Sequence, residues 1–330
     1  MVGMTQTQFR ALLTDLAAAD FGGWRRADVH AVCAGSGWKV SREVLPRCEI
    51  AAVPGAVRGA YLTENWDRRR DSESEMMQLY LCAAVTMPER FRAHLEVATE
   101  VWGEPSLYGG SRNAFARWRG PVVSRQLEID REGSVLVRAF CTEAWESWDH
   151  RTWEWDDAVD DVPYTWLGDN GHPSLAGFHT GGRVAGSWPG LVTALTGTLR
   201  DIRFGMRALG VGGPAPTTDG VVISLESAAG DSRVVQLVQG VDELTVLVGN
   251  DHPDPESLAR RGLARDEYDA WTSVFAPDHD PRPAAELAVS LLRDLGFASV
   301  GELAERSWRF ASPYRRFSLH CVGVQRARGR

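Results

Sequence analysis

Apolar residues recur in "QFRALLTDLAAAD" at Phe9, Leu12, Leu13, Leu16 and Ala17, the i, i+3, i+4, i+7, i+8 spacing of one helix face. A second short helix is expected over Arg26–Ala34, with Val29, Val32 and Cys33 inward and a stop at "GSG". The period then shortens. "WKVSREV", "CEIAAV", "GAYLTENW" and "EMMQLYLCAAVTM" read as strands, and Met77, Leu79, Leu81, Ala83 and Val85 alternate as a half-buried strand requires. Pro88 opens a helix with Phe91, Leu95, Ala98, Val101 and Trp102 on one face, closed by Gly103. Three more strands, "NAFARWR", "PVVSRQLEI" and "SVLVRAF", precede a helix expected over Thr142–His150.

From Gly168 the pattern lapses. "GDNGHPSLAGFHTGGRVAG" is rich in glycine and aperiodic, which reads as a linker. A second series follows: a helix from Trp188 capped by Ser187, then strands "IRFGMRAL", "GVVISLES", "SRVVQLVQG" and "DELTVLVGN". Helices are expected around "EYDAWTSVF" and "AAELAVSLLRDLGF", and a last strand at "RRFSLHCVGVQ". Helices and hairpin-connected strands in this order make the fold class α+β, with two similar small domains, each an antiparallel sheet packed with helices. The expected division is a domain over 1–167, a Gly-rich linker over 168–186 and a second domain over 187–330.

Charge changes the picture in one place. Ala144–Trp166 holds Glu146, Asp149, Glu154, Asp156, Asp157, Asp160 and Asp161 against Arg151, which is -6 of the chain's formal -8. The acidity is therefore local, and the basic surface that nucleic acid demands is missing. The cysteines at 33, 48, 82, 141 and 321 are odd in number and form no CxxC pair, which points to reduced thiols and a cytoplasmic setting. The start lacks the basic and apolar regions of a signal peptide, and no apolar run reaches the ~20 residues a bilayer needs, so no membrane partner is expected.

The second half carries a resemblance. The Trp188 helix, "SRVVQLVQGVDELTVLVGN" ending in Gly249-Asn250, and the later Leu295-Gly296-Phe297 with Trp308 resemble bacterial chaperone-like domains of the type III secretion chaperone and YbjN group. "SGWKV", "EVWGEPS" and "FARWRGP" in the first half resemble an uncharacterised actinobacterial domain family of similar architecture. These resemblances imply protein binding, with no catalytic residues to transfer. The partner they imply is an exported or toxin-like protein, and the chain itself a monomer with an internal pseudo-dimer or a homodimer.

The candidate chemistry is thin. Lys39 is the only lysine and stands outside any GK[ST], so a P-loop is excluded. "GVGGPA" at Gly210–Ala215 nearly fits a dinucleotide fingerprint, but Pro214 and Pro216 oppose the helix that a pyrophosphate needs. "NDHPDPES", "PDHDPRP" and the His172–His179 pair lack any metal-binding spacing, and the Asp-Pro pairs read as helix caps. Ser36 in "AGSGW" reads as a helix-terminating turn. No cofactor is expected. The Trp/acid-rich segment stays open to three readings. Its tryptophans cap a sheet, or Trp145, Trp148, Trp153, Trp155, Asp156, Asp157, Asp160 and Asp161 dock a basic partner, or its carboxylates serve a hydrolase. Trp145 and Trp148 are expected to be largely buried, with Asp156, Asp157, Asp160 and Asp161 facing water.

Overall fold

The computed structural model describes residues 2–44, 47–51, 53, 55–56, 58–64, 76–111, 113–152, 164–169, 183–209, 220–240, 242–250, 252–276, 280–309 and 316–327. The fold is α+β, built on antiparallel-rich sheets. The chain forms two compact units: Met1–Tyr108 with Arg112–Trp155, and Gly109–Ser111 with Asp156–Arg330.

In the first unit the order is β1 (Val2–Gly3), α1 (Gln6–Ala18), α2 (Arg26–Gly35), β2 (Lys39–Val44), β3 (Arg47–Ala51), β4 (Arg58–Glu64) and β5 (Met76–Val85). Then come α3 (Phe91–Trp102), β6 (Leu107–Gly110), β7 (Ala114–Trp118), β8 (Val123–Ile129), β9 (Ser134–Cys141) and α4 (Thr142–Thr152). Strands run β7-β8-β9-β5-β4-β3-β2, with β1 added to β5. The row Ala116–Leu127–Val137–Leu81 crosses four strands in register, each side chain sealed from water, and forms the core floor.

Local chemistry sets the helices on that floor. Thr5 and Gln8 form a reciprocal capping box that starts α1, and Phe9, Leu12, Leu13 and Leu16 bury one face. Arg125 on β8 donates to the carbonyls of Leu16 and Ala17 at 3.0 Å each, satisfying the C-terminal end of α1. Helix α3 stops at Gly103, whose φ of 80° suits a residue without a Cβ. The indole of Trp102 donates to the Leu13 carbonyl at 2.9 Å, tying α3 to α1.

The second unit contains β10 (Trp166–Asp169), α5 (Trp188–Leu209), β11 (Gly220–Ser227), β12 (Val234–Gly240), β13 (Leu244–Val248) and α6 (Pro255–Arg260). It continues through β14 (Ala264–Arg265), β15 (Trp271–Phe275), α7 (Arg282–Asp294), β16 (Leu303–Arg309), β17 (Arg316–Leu319) and β18 (Gln325–Arg326). Its main sheet runs β14-β15-β13-β12-β11-β16-β18, antiparallel except for β16–β18. Helices α5 and α7 cover the face that carries Ile223, Leu225, Val235, Leu237 and Val246. A further antiparallel ladder pairs β10 with β17.

Three sequence expectations change here. Ile202–Leu209, read as a strand, is the second half of α5. Ile202, Met206 and Leu209 continue the helical stripe of Leu191, Leu195 and Leu199. Trp271–Phe275, read as helical, is a strand paired with β13. Asp266 turns the chain first by accepting from the Tyr268 and Ala270 amides at 2.9 Å. Gly168 and Asp169, read as the start of a linker, are buried in β10, whose ladder places them with the second unit. At the far end of that segment the Arg183 amide donates to the His320 carbonyl at 2.9 Å, and the Ala185 amide to the Gly323 carbonyl at 2.7 Å. Residues 170–182 lie outside the described residues. The indole of Trp166 rests on α5 at Gly205, where a Cβ would come within 2.4 Å of the ring.

Candidate functional site

The first unit's sheet has a second face, and it is charged. Strand register sets Arg117, Gln126, Arg138 and Tyr80 in one cross-strand row over β7, β8, β9 and β5. Arg117, Gln126 and Glu128 are nonetheless 4 %, 3 % and 2 % exposed. Burial of this kind demands partners, and a continuous chain supplies them. Arg117 Nε donates to Gln126 Oε1 at 2.7 Å, and Gln126 Nε2 to Glu128 Oε2 at 2.5 Å. Arg138 donates to Glu128 at 2.5 Å and to Gln78 at 3.1 Å, while Asn113 adds a third bond to Glu128 at 3.0 Å. The guanidinium of Arg117 also lies over the rings of Phe115 and Phe140, at 5.0 and 5.2 Å.

Helix α4 brings the opposing charge. Thr142 starts it by donating to the Gly120 carbonyl at 2.9 Å and pairing with the Ser124 hydroxyl at 2.8 Å. One turn on, Glu146 takes a two-pronged contact from Arg119 at 2.5 and 3.0 Å. Asp149, at i+3 from Glu146, meets Arg117 at 3.4 Å and is 5 % exposed. Burial outweighs the pull of Arg117 and pushes the Asp149 carboxyl up to about 6. Trp145 packs on Phe140 with ring centroids 5.0 Å apart and shares the face of the Arg138 guanidinium at 5.6 Å. Trp145 Nε1 and Arg138 Nε are both sealed from water with no acceptor among the described residues.

The structure thus divides the Trp/acid-rich segment. Trp145 and Trp148 were expected to be largely buried, and each keeps only a minor share of its surface exposed. Glu146 and Asp149, two of the acids, turn inward to arginines instead of facing solvent. Trp153, Trp155, Asp156, Asp157, Asp160 and Asp161 lie outside the described residues. The arginines that receive α4 were missed in the sequence. Their only signal was the alternation of Phe115, Arg117 and Arg119 along a strand, a pattern that reads equally as a solvent face.

Other candidates fall into structural roles. Asp254 caps α6 by accepting from the Ser257 amide at 2.9 Å, and His252 Nδ1 accepts from the Asp254 amide at 3.1 Å. Ser36 is the C-cap of α2. His172, His179 and Gly210–Ala215 lie outside the described residues. Among the described residues no three His, Cys, Asp or Glu side chains gather at metal-binding distance. Cys33, Cys82, Cys141 and Cys321 stand outside any disulfide among the described residues, and burial pushes Cys321 up to about 12, which suppresses its thiolate. No helix among the described residues is long and apolar enough to cross a membrane. Comparison with known proteins returns no relative: no family model matches the chain, and no curated protein or solved structure is similar to it.

Proposed function

We propose that this chain is a non-enzymatic, chaperone-like protein of the cytoplasm that binds another protein, an exported or toxin-like polypeptide with basic character. Helix α4 and the segment after it, Trp153 to Asp161, form the docking element. The observation that carries this reading is the anchoring of α4 at two points, Asp149 to Arg117 and Glu146 to Arg119. A helix clamped by its inward acids is a rigid support for the tryptophans and carboxylates that follow it in sequence. Both acids are engaged by arginines, which gives them a structural part in seating α4. Trp148 is half-buried, the state in which a tryptophan still offers a face to a partner.

Affinity capture from a lysate of the source cell, followed by mass spectrometry, tests the reading. One basic protein should be enriched at low salt and lost at high salt, and the Asp157→Arg/Asp160→Arg variant should fail to capture it while remaining folded. A set of secretion substrates would mark a chaperone, and a single toxin an immunity protein. Identical capture by the wild-type and reversed chains would end the docking assignment.

A further inference from the structure

The second unit's sheet also has a face turned away from its helices. Register places Trp308, Val222 and Val238 in one row across β16, β11 and β12, followed by Arg306, Ser224 and Gln236, and then by Ala304, Glu226 and Val234. Side-chain size shapes this face. Ser224 and Ala304 are short and buried, and the long side chains of Trp308, Arg306, Glu226 and Gln236 stand around them. The Ala228–Ser232 turn and β18 add two further walls, and the result is a trough of about 670 Å³. Small-molecule sites commonly fall between ~300 and ~1,000 Å³, so the trough is of a size to hold one.

Its chemistry is polar and balanced. Two carboxylates, Glu226 and Asp231, face two guanidiniums, Arg306 and Arg326, which leaves no net charge to select an ion. Asp231 is spent on the Ser227 hydroxyl at 2.9 Å and on Arg233 at 2.8 Å. Glu226 is held at one point only, where its Oε1 accepts from Arg306 Nη2 at 3.0 Å. Its second oxygen and the remaining N–H groups of Arg306 are uncommitted among the described residues. Gln236 spends its amide nitrogen on the Ser224 hydroxyl at 3.5 Å and keeps its carbonyl oxygen open.

We propose that this trough binds a neutral oligosaccharide. A sugar hydroxyl donates and accepts at once, so its site needs donors and acceptors interleaved, which Glu226, Arg306 and Gln236 supply. The ion pair serves this directly. It cancels two charges and fixes two planar groups, while a carboxylate oxygen and guanidinium N–H groups are left to bridge neighbouring hydroxyls. Trp308, on the same strand face as Arg306 and 37 % exposed, offers an indole surface on which the C–H face of a pyranose ring packs. Other occupants lack what they need. A phosphate-bearing ligand finds no net positive charge, and a lipid chain finds mainly polar walls. An extended peptide joins a sheet at its edge, whereas β11 and β12 are paired on both sides. The site belongs to the second unit alone and does not depend on the docking role of the Trp/acid segment.

Saturation-transfer difference NMR on the full chain, with maltotriose, cellotriose and chitotriose each raised to about 10 mM, reads the result. At least one of the three should receive saturation, with an affinity that does not change between low and high salt, because the ligand is uncharged. Trp308→Ala should weaken that sugar about tenfold, and Glu226→Gln should weaken it severalfold, both with circular dichroism unchanged. No transfer to any of the three sugars would overturn the proposal, and so would a folded Trp308→Ala chain that binds as wild type does. Preferential binding of trigalacturonate or of trialanine would also overturn it, by making the trough an anion site or a peptide site.

Discussion

Each unit covers one face of a sheet with helices, and the two remaining faces solve the same problem differently. In the first unit the second face carries Arg117, Gln126, Glu128 and Arg138, and α4 folds over it with Asp149 and Glu146 to close the charge. In the second unit the described residues of the corresponding rows are nearly uncharged, and the ion pair beside them, Arg306–Glu226, is partly open to solvent. The contrast separates two uses of ionic residues. Buried and interlocked, they specify where one helix must lie. Exposed and isolated, they add little to the fold and remain available to a neighbour.

The contrast breaks first if these ion pairs prove energetically alike. Removing Arg117 leaves the Asp149 carboxylate buried without its arginine and Gln126 Oε1 without its donor, so Arg117→Ala should cost about 3–5 kcal/mol. Arg306→Ala should cost less than about 1 kcal/mol in the same denaturant titration. Equal losses would show that the buried network is no more than a collection of surface-like contacts.

Titration sharpens the point. The Asp149 carboxyl sits at about 6 in the fold and near ~4 in an unfolded chain. Between these values the folded state binds the extra proton, so stability falls as pH rises from about 4 to 6 and stays lower above that window. Asp149→Asn removes the titrating group. The thermal midpoint of the variant should therefore gain on wild type between pH 5 and pH 8, by the equivalent of about 1.4 kcal/mol. A difference between the two proteins that does not change with pH would mean that burial does not control this carboxyl.

Two glycines in α5 give the smallest effects, with opposite signs. At Gly205 a methyl group would meet the Trp166 ring at 2.4 Å, and Gly205→Ala should cost about 1–3 kcal/mol through overpacking. Gly197 has no atom within 4 Å of a built Cβ, so Gly197→Ala should stabilise by about 0.5–1 kcal/mol through the ordinary helix preference. Losses of similar size at both positions would contradict the close packing of β10 on α5.

How much of this was legible follows from what each pattern encodes. The stripe of Phe9, Leu12, Leu13 and Leu16 and the Asp254 cap are local signals, and each appears where it was read. Met76–Val85 is the strand its alternation predicts, but it is not half-buried: Gln78, Cys82 and Ala84 on its other face are buried as well. Ile202–Leu209 was misread because Ile202, Phe204, Met206 and Ala208 alternate while Ile202, Met206 and Leu209 also keep a helical stripe. Only continuity with Leu199 decides between them. The strand Leu303–Arg309 was passed over because "LAERSWR" places Glu305 on the buried side, 2 % exposed, where period two predicts an apolar residue. The Arg117 network was invisible for a different reason. A polar strand face looks the same to the sequence whether water or α4 covers it, and the partners lie as far apart as Gln78 and Asp149.

The measurement closest to the central claim is the association rate of the captured basic partner with the wild-type chain and with Asp157→Arg/Asp160→Arg. It is read by stopped flow at low and high ionic strength, with circular dichroism confirming both folds. Docking on the Trp/acid-rich segment predicts a rate at least about tenfold slower for the reversed chain at low salt, and a much flatter salt dependence. Superimposable rates for two folded proteins at both ionic strengths would contradict it and leave the acids without a role in recognition.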